Sequence, residues 1–147
     1  MQISAVIICL NEERNLGRAL NSLNGIVDEV LVLDSGSTDR TRDIALLHGA
    51  KFLDIEWEGY ASTKNRGNEM ASFEHILSLD ADEELSPELQ QSILKLKSSG
   101  ETGAFTCNRL TNYCGKWIRH SGWYPDRKIR LFPKGKAKWV LLGRYLK

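Results

Sequence analysis

Glu29-Val-Leu-Val-Leu-Asp-Ser-Gly-Ser-Thr-Asp39 is the stretch that decides the fold. Val30 to Leu33 form an unbroken apolar run, the pattern of a strand buried on both faces. The run stops at Asp34. Ser35-Gly-Ser is turn chemistry, and Thr38-Asp39 is expected to start a helix carrying Ile44, Ala45 and Leu47 and closing near Gly49. The same order of strand, polar turn and helix recurs on either side. Upstream, Ser4-Ala-Val-Ile-Ile-Cys-Leu10 runs into Asn11-Glu12-Glu13, and Leu16, Ala19, Leu20 and Leu23 follow at helical spacing until Asn24-Gly25. Asn11 is expected to cap that helix, with Glu12 and Glu13 at its positive end. Downstream, Lys51 to Ile55 reads as a short third strand and Tyr60 to Ser72 as a polar helix. His75-Ile-Leu-Ser-Leu-Asp80 reads as a fourth strand, and Ser86-Pro87 caps and starts a helix with Leu89, Ile93, Leu94 and Leu96.

Such alternation predicts an open, mostly parallel, Rossmann-like α/β sheet with helices on both faces. After Gly100 the pattern changes: Phe105 to Leu110 and Ile129 to Phe132 look like antiparallel or edge strands, joined by a loop rich in Trp, Tyr, Arg and Lys. Ligands of open α/β sheets bind beyond the carboxyl ends of the strands. Three of the four strands here end in chemically capable residues: Asn11-Glu12, Asp34-Ser35-Gly36 and Asp80-Ala81-Asp82. All three should lie on one rim.

Composition narrows the class. The chain has 147 residues, 41% hydrophobic and 27% charged, which suits one soluble domain and excludes a disordered tail, a collagen-like fibre or a disulfide-stapled miniprotein. The longest apolar run, Ile3 to Leu10, is far short of the roughly 20 residues that cross a bilayer. No basic segment precedes it, so no export signal is expected. Cys9, Cys107 and Cys114 are too few for a disulfide framework or a zinc site, which points to a reducing compartment, the cytoplasm. The net charge of +1 hides a split: residues 1–108 carry 9 Lys+Arg against 18 Asp+Glu, and residues 109–147 carry 11 against the single acid Asp126. Either the second part faces something anionic (phosphate groups, a membrane surface, nucleic acid) or it covers the acidic part of the same chain.

On the rim, Asp80 and Asp82 stand at i and i+2 of an extended chain, so both carboxylates can reach one divalent ion or its water. Glu83 and Glu84 belong to the turn that follows. Asp34 is placed to accept from ribose hydroxyls or a base N–H, and Ser35, Gly36 and Ser37 allow close backbone approach. Lys64-Asn65-Arg66-Gly67 could meet a diphosphate or form a solvated helix face. His48, His75 and His120 are spread apart and read as structural, and Cys107 lacks a base partner. Neither G-x-G-x-x-G nor G-x-x-x-x-G-K-[ST] occurs, which argues against a dinucleotide site and a P-loop.

Together, Ser4 to Glu13, Glu29 to Asp39, Lys64-Asn65 and Leu79-Asp-Ala-Asp-Glu-Glu84 resemble a family-2 glycosyltransferase of the GT-A fold, over about residues 1–139. Gly122-Trp-Tyr-Pro-Asp-Arg-Lys-Ile-Arg-Leu-Phe132 is similar to the branch that includes lipopolysaccharide-core glucosyltransferases. The resemblance implies an inverting hexosyl transfer from a nucleotide-sugar, UDP-hexose by expectation, to a saccharide or lipid-linked acceptor. It implies a donor site of Leu10, Asn11, Glu12, Asp34, Gly36, Lys64, Asn65, Asp80 and Ala81, with Mg²⁺ or Mn²⁺ on Asp82 and Asp80. Residues 1–100 would be the nucleotide-sugar-binding half, and 101–147 the start of the acceptor-binding half, with Trp123, Tyr124, Arg127 and Arg130 toward the acceptor. The setting would be cytoplasmic, with peripheral contact at the inner membrane surface and no nucleic acid.

The chain departs from this branch after Trp139. Relatives usually continue to a His-Glu pair whose acid is the base, whereas this chain reads Val140-Leu-Leu-Gly-Arg-Tyr-Leu-Lys147. The C-terminal part is therefore expected to be truncated and the base missing, with Asp126 a weak substitute. The alternatives are a non-catalytic nucleotide- or polyanion-binding module and a sugar nucleotidyltransferase.

Overall fold

A computed structural model describes residues 1–119 and 126–139. Its main sheet has six strands, ordered β3-β2-β1-β4-β8-β5. Strands β1 (Ile3–Cys9), β2 (Glu29–Asp34), β3 (Lys51–Asp54) and β4 (His75–Asp80) are mutually parallel. Strand β8 (Asp126–Pro133) runs antiparallel between β4 and β5 (Phe105–Arg109). A separate hairpin pairs β6 (Thr111–Tyr113) with β7 (Lys116–Ile118).

Strand alternation sorts the core onto two faces. Ile3, Ala5, Ile7 and Cys9 of β1 join Val32, Leu77, Leu79 and Leu131 on one face. There they meet Leu16, Ala19, Leu20 and Leu23 of α1 (Leu16–Leu23), Ala45 of α2 (Thr41–Leu47) and Ile93 of α4 (Pro87–Ser99). Val6, Ile8, Leu31, Leu33, Ile76 and Phe132 face the other way. That second face is covered by α3 (Tyr60–Met70), which buries Thr63, Lys64, Gly67 and Asn68 instead of an apolar stripe. So polar a helix can cover the sheet because it lies close: a Cβ on Gly67 would stand 2.5 Å from Val6 Cγ1.

The expected α/β alternation, the polar α3 and the Ser86 cap are present, the Ser86 hydroxyl accepting from Leu89 N–H at 3.2 Å. Two local expectations are corrected. Asn11 does not cap α1, which begins five residues later at Leu16. Asn11 sits at φ +51°, and its amide oxygen is used across the rim. Helix α2 begins at Thr41, because the Asp39 carboxylate turns back on Thr41 N–H and hydroxyl. The two later segments are antiparallel as expected: β5 is an edge and β8 is internal, its register setting Leu131 opposite Leu77 and Phe132 opposite Ile76.

Candidate active site

The rim is built by hydrogen bonds between the loops that leave β1 and β2. Asn11 N–H donates to Ser37 Oγ at 2.7 Å, and Thr38 N–H donates to Asn11 Oδ1 at 2.8 Å. Glu12 N–H donates to Thr41 Oγ1, Glu13 N–H to Asp39, and Arg40 N–H to Glu13. Short polar side chains thus satisfy the backbone groups that the ends of parallel strands leave open. Asp34 closes its own turn: Oδ2 accepts from Gly36 N–H at 3.0 Å and Ser37 N–H at 2.8 Å, and Oδ1 accepts from the Ser37 hydroxyl. It is 2% exposed, so its carboxylate organises the loop from beneath. Cys9 Sγ lies 3.4 Å from the same carboxylate, and burial together with that charge pushes the thiol far up. Cys9 is a packed thiol and no nucleophile.

Above this rim opens a cleft of about 870 Å³. Leu10, Glu12 and Ser35 line it from the β1 and β2 ends, Asp80, Ala81 and Asp82 from the β4 end, Ala61 and Lys64 from α3, and Trp57, Tyr60 and Trp139 around its mouth. A charged cluster reaches one wall through Lys64 and Asp80 and is backed by Arg130 and Glu83. Lys64 Nζ lies 2.7 Å from Asp80 Oδ1. Arg130 Nη2 lies 2.7 Å from Glu83 Oε1 and 3.4 Å from Asp80 Oδ2. Glu83 Oε2 in turn accepts from Asp80 N–H at 3.1 Å. Burial pushes the Asp80 carboxyl up, but the Lys64 and Arg130 cations outweigh it and hold it below the ordinary carboxylate value. Glu83 goes the other way: burial raises it, Arg130 opposes, and the Asp80 and Asp82 charges add to the rise.

The cleft unites Leu10, Glu12, Lys64, Asp80, Ala81 and Asp82, as expected of a rim site. Asn11, Asp34 and Gly36 are not in its lining: Asp34 is buried beneath the loop, while Asn11 and Gly36 are exposed beside it and bonded into the rim. Asn65 is also spent on structure: its amide donates to Trp139 C=O and accepts from Trp139 N–H, both at 2.8 Å. This clamp sets Trp139 against the cleft, with Lys64 Nζ 4.5 Å from its ring centre. Arg130 is not an exposed acceptor contact. At 8% exposure it is drawn inward by Asp80 and Glu83, because β8 lies beside β4. Arg127 is exposed on β8. Asp126 pairs with Lys128 at 3.2 Å and Arg109 at 2.7 Å, which hold its carboxyl below the usual range. Trp123, Tyr124, His120 and the segment after Trp139 lie outside the described residues. His48 bridges Ile44 C=O and Asn21, a structural role.

Three features escaped the sequence reading: the Glu83–Arg130 bridge, the Asn65–Trp139 clamp, and the aromatic pair Trp57 and Tyr60. The first two join residues 47 and 74 positions apart, and no spacing rule connects them. The third had a signal, because Glu56-Trp-Glu-Gly-Tyr60 sets two aromatics in a polar turn directly after a strand. The charge split also resolves in part: Arg130 of the basic part pairs with Asp80 and Glu83 of the acidic part.

Among the described residues no group of three or more His, Cys, Asp or Glu could hold a metal ion. The donor set here is smaller. Asp82 is exposed in the cleft, with no hydrogen bond or ion pair to its carboxylate from the described residues, while Asp80 is already engaged by two cations. One free carboxylate fits a hard ion that fills its remaining positions with water and phosphate oxygens. It does not fit an all-protein cage.

An open α/β sheet with a cleft beyond its strand ends is the architecture of a ligand-binding α/β domain. The sequence profile of Glycosyl transferase family 2 matches residues 4–143, and the chain belongs to that family. It is 31% identical over 147 aligned positions to the lipopolysaccharide core biosynthesis glycosyltransferase LpsC of Rhizobium meliloti, covering 96% of this chain and 54% of that protein. The fold is that of the GT-A glycosyltransferases. It is similar to the crystal structure of S. aureus TarS 1–349, with a TM-score of 0.56 and 26% identity over 65% of this chain and 32% of that one. It is similar too to glucosyl-3-phosphoglycerate synthase of Mycobacterium tuberculosis in complex with Mn²⁺, UDP-glucose and phosphoglyceric acid. There the TM-score is 0.50 and the identity 29%, over 54% of this chain and 33% of that one. The chain spans between 29% and 54% of the length of the curated relatives it matches. No helix among the described residues is long and apolar enough to cross a membrane.

Proposed function

We propose that this chain carries the donor site of an inverting glycosyltransferase that moves a hexose from UDP-hexose to a saccharide or lipid-linked acceptor of the cell envelope. The observation that carries the reading is the cleft wall itself, where the Asp82 carboxylate, without a partner among the described residues, lines the same cleft as the Lys64 ammonium. A nucleoside diphosphate needs both charges: cations for its oxygens, and an acid for the counter-ion it brings. The Mycobacterium tuberculosis neighbour was crystallised with Mn²⁺ and UDP-glucose, which supports that donor class. Likeness to LpsC supports an envelope acceptor.

Within this reading Asp82 would hold Mg²⁺ or Mn²⁺, which would offset charge on the departing diphosphate. Asp80 anchors Lys64, and so holds its ammonium in the cleft wall beside the diphosphate. The framework of Asn11, Asp34 and Gly36 fixes the loop under the nucleoside. Residues 1–100 form the donor half and 101–147 begin the acceptor half. The base that would deprotonate the acceptor hydroxyl is left unassigned; Asp126, a weak candidate, is already paired with Arg109 and Lys128. The basic character of residues 109–147 suits a peripheral position on an anionic membrane surface at the cytoplasmic side.

The test is a thermal-shift titration with UDP, with and without Mn²⁺. Saturation at a hundred times Kd should stabilise the native state by about 2.7 kcal/mol. The shift should require the metal and vanish in Asp82→Ala. Binding that ignores both Mn²⁺ and this substitution would overturn the proposal.

A further inference from the structure

We infer that Trp57 and Tyr60 form the platform on which the base of the nucleoside diphosphate stacks, an assignment that rests on the donor-site reading above. Trp57 is 47% and Tyr60 71% exposed, and both line the cleft, where a ligand can reach their rings. Their rings meet edge to face, with centres 4.9 Å apart and planes at 90°. That arrangement fixes the two rings against one another while an edge covers at most one face of one ring, so π surface remains for a ligand.

The backbone is built to make this pair. Gly59, between the two aromatics, adopts φ +93° and ψ 163°, a conformation essentially restricted to glycine. No atom lies within 4 Å of where its Cβ would be, so glycine is needed for the turn and not for space. The turn brings residue 57 back onto the first residue of α3. The segment is anchored just upstream, where Ile55 N–H donates to Asp34 C=O at 2.8 Å. The aromatic pair therefore stands at the β2–β3 side of the rim. The Lys64, Asp80 and Asp82 wall stands at the β4 end.

A ligand reaching from one to the other must be flat and apolar at one end and anionic further along. A nucleoside diphosphate has this form. The donor sugar, on the far side of the diphosphate from the base, then falls toward Trp139 and β8. Stacking is tolerant of base identity, so the platform supplies affinity, and choice among bases falls to polar groups of the rim.

Calorimetric titrations of the 147-residue chain with UDP, UDP-glucose and pyrophosphate, all with Mn²⁺, test the assignment. Trp57→Ala should weaken UDP and UDP-glucose alike, by roughly five- to a hundredfold, and leave pyrophosphate unchanged. Trp57→Phe should recover most of the loss, and Tyr60→Ala should show a smaller one. Both side chains are exposed, so thermal midpoints should hold. Unchanged UDP affinity, or an equal loss for pyrophosphate, would overturn the platform, and so would a loss confined to UDP-glucose, which would place the sugar there. Failure of the unmutated chain to bind either UDP or pyrophosphate would instead overturn the donor-site reading, and the platform with it.

Discussion

Replacing Gly67 by alanine asks whether α3 touches the sheet as closely as its polar face requires. The added methyl would meet Val6 Cγ1 at 2.5 Å and the two Leu33 methyls at 3.1 and 3.3 Å. Carbon atoms prefer separations of about 3.5–4.0 Å, so the helix is short of room by roughly 1 Å. Val6 cannot swing aside: it is β-branched, 2% exposed, and its strand is paired on both sides. The helix must lift, and such overpacking costs about 1–3 kcal/mol. The better helix propensity of alanine returns about 1 kcal/mol. The net expectation is a loss of about 1 kcal/mol, read as a lower urea midpoint at unchanged slope. In a Val6→Ala background the offending methyl is gone, and the same substitution should stabilise by about 1 kcal/mol, a sign reversal and a coupling near 2 kcal/mol. If Gly67→Ala stabilises the unmutated chain, as it would at an exposed helix position, the close approach is wrong. Lifting α3 also moves Lys64, three residues away, so weaker UDP binding should accompany the loss.

Glu29 predicts the acid limb of stability. Burial pushes its carboxyl up, but hydrogen bonds from Lys51, Ser4 and Ser72 outweigh this and hold it down at about 2, against an ordinary 4.5. The lowered value means its contribution is complete above pH 4.5 and fades as pH falls toward 2, so Glu29→Gln should flatten the pH dependence there. The same change should cost about 3 kcal/mol at neutral pH, both effects being read from urea midpoints against pH. Asn11 at φ +51° should tolerate glycine better than alanine. Alanine loses the bond to Thr38 N–H and adds left-handed strain, for about 1–2 kcal/mol in all by thermal denaturation. Lys64→Gln removes a cation from the cleft wall and should weaken UDP by roughly tenfold or more in calorimetry, as loss of a charge-assisted hydrogen bond does. Equal affinity would show that Lys64 serves Asp80 alone.

The sequence by itself determined the layered architecture and the rim. Continuous apolar runs ending in Asn11, Asp34 and Asp80 can only be strands buried on both faces, and right-handed crossovers then bring their polar ends to one side. Ser86-Pro87 wrote its own cap, because a cap is a three-residue interaction. Only the tertiary structure decided which rim residues face the cleft. Asn11, Asp34 and Asn65 carry side chains suited to a ligand, yet Asn11 is engaged by the loop that leaves β2, Asp34 by its own turn and Asn65 by Trp139. Arg130 reads as an exposed cation in a basic stretch, yet the insertion of β8 beside β4 buries it against Asp80 and Glu83. The reason is one of range. Periodicity and turn chemistry act within a few residues and survive in the linear text, whereas a buried ion pair or an amide clamp depends on which distant strand becomes a neighbour, and that is fixed only when the sheet closes.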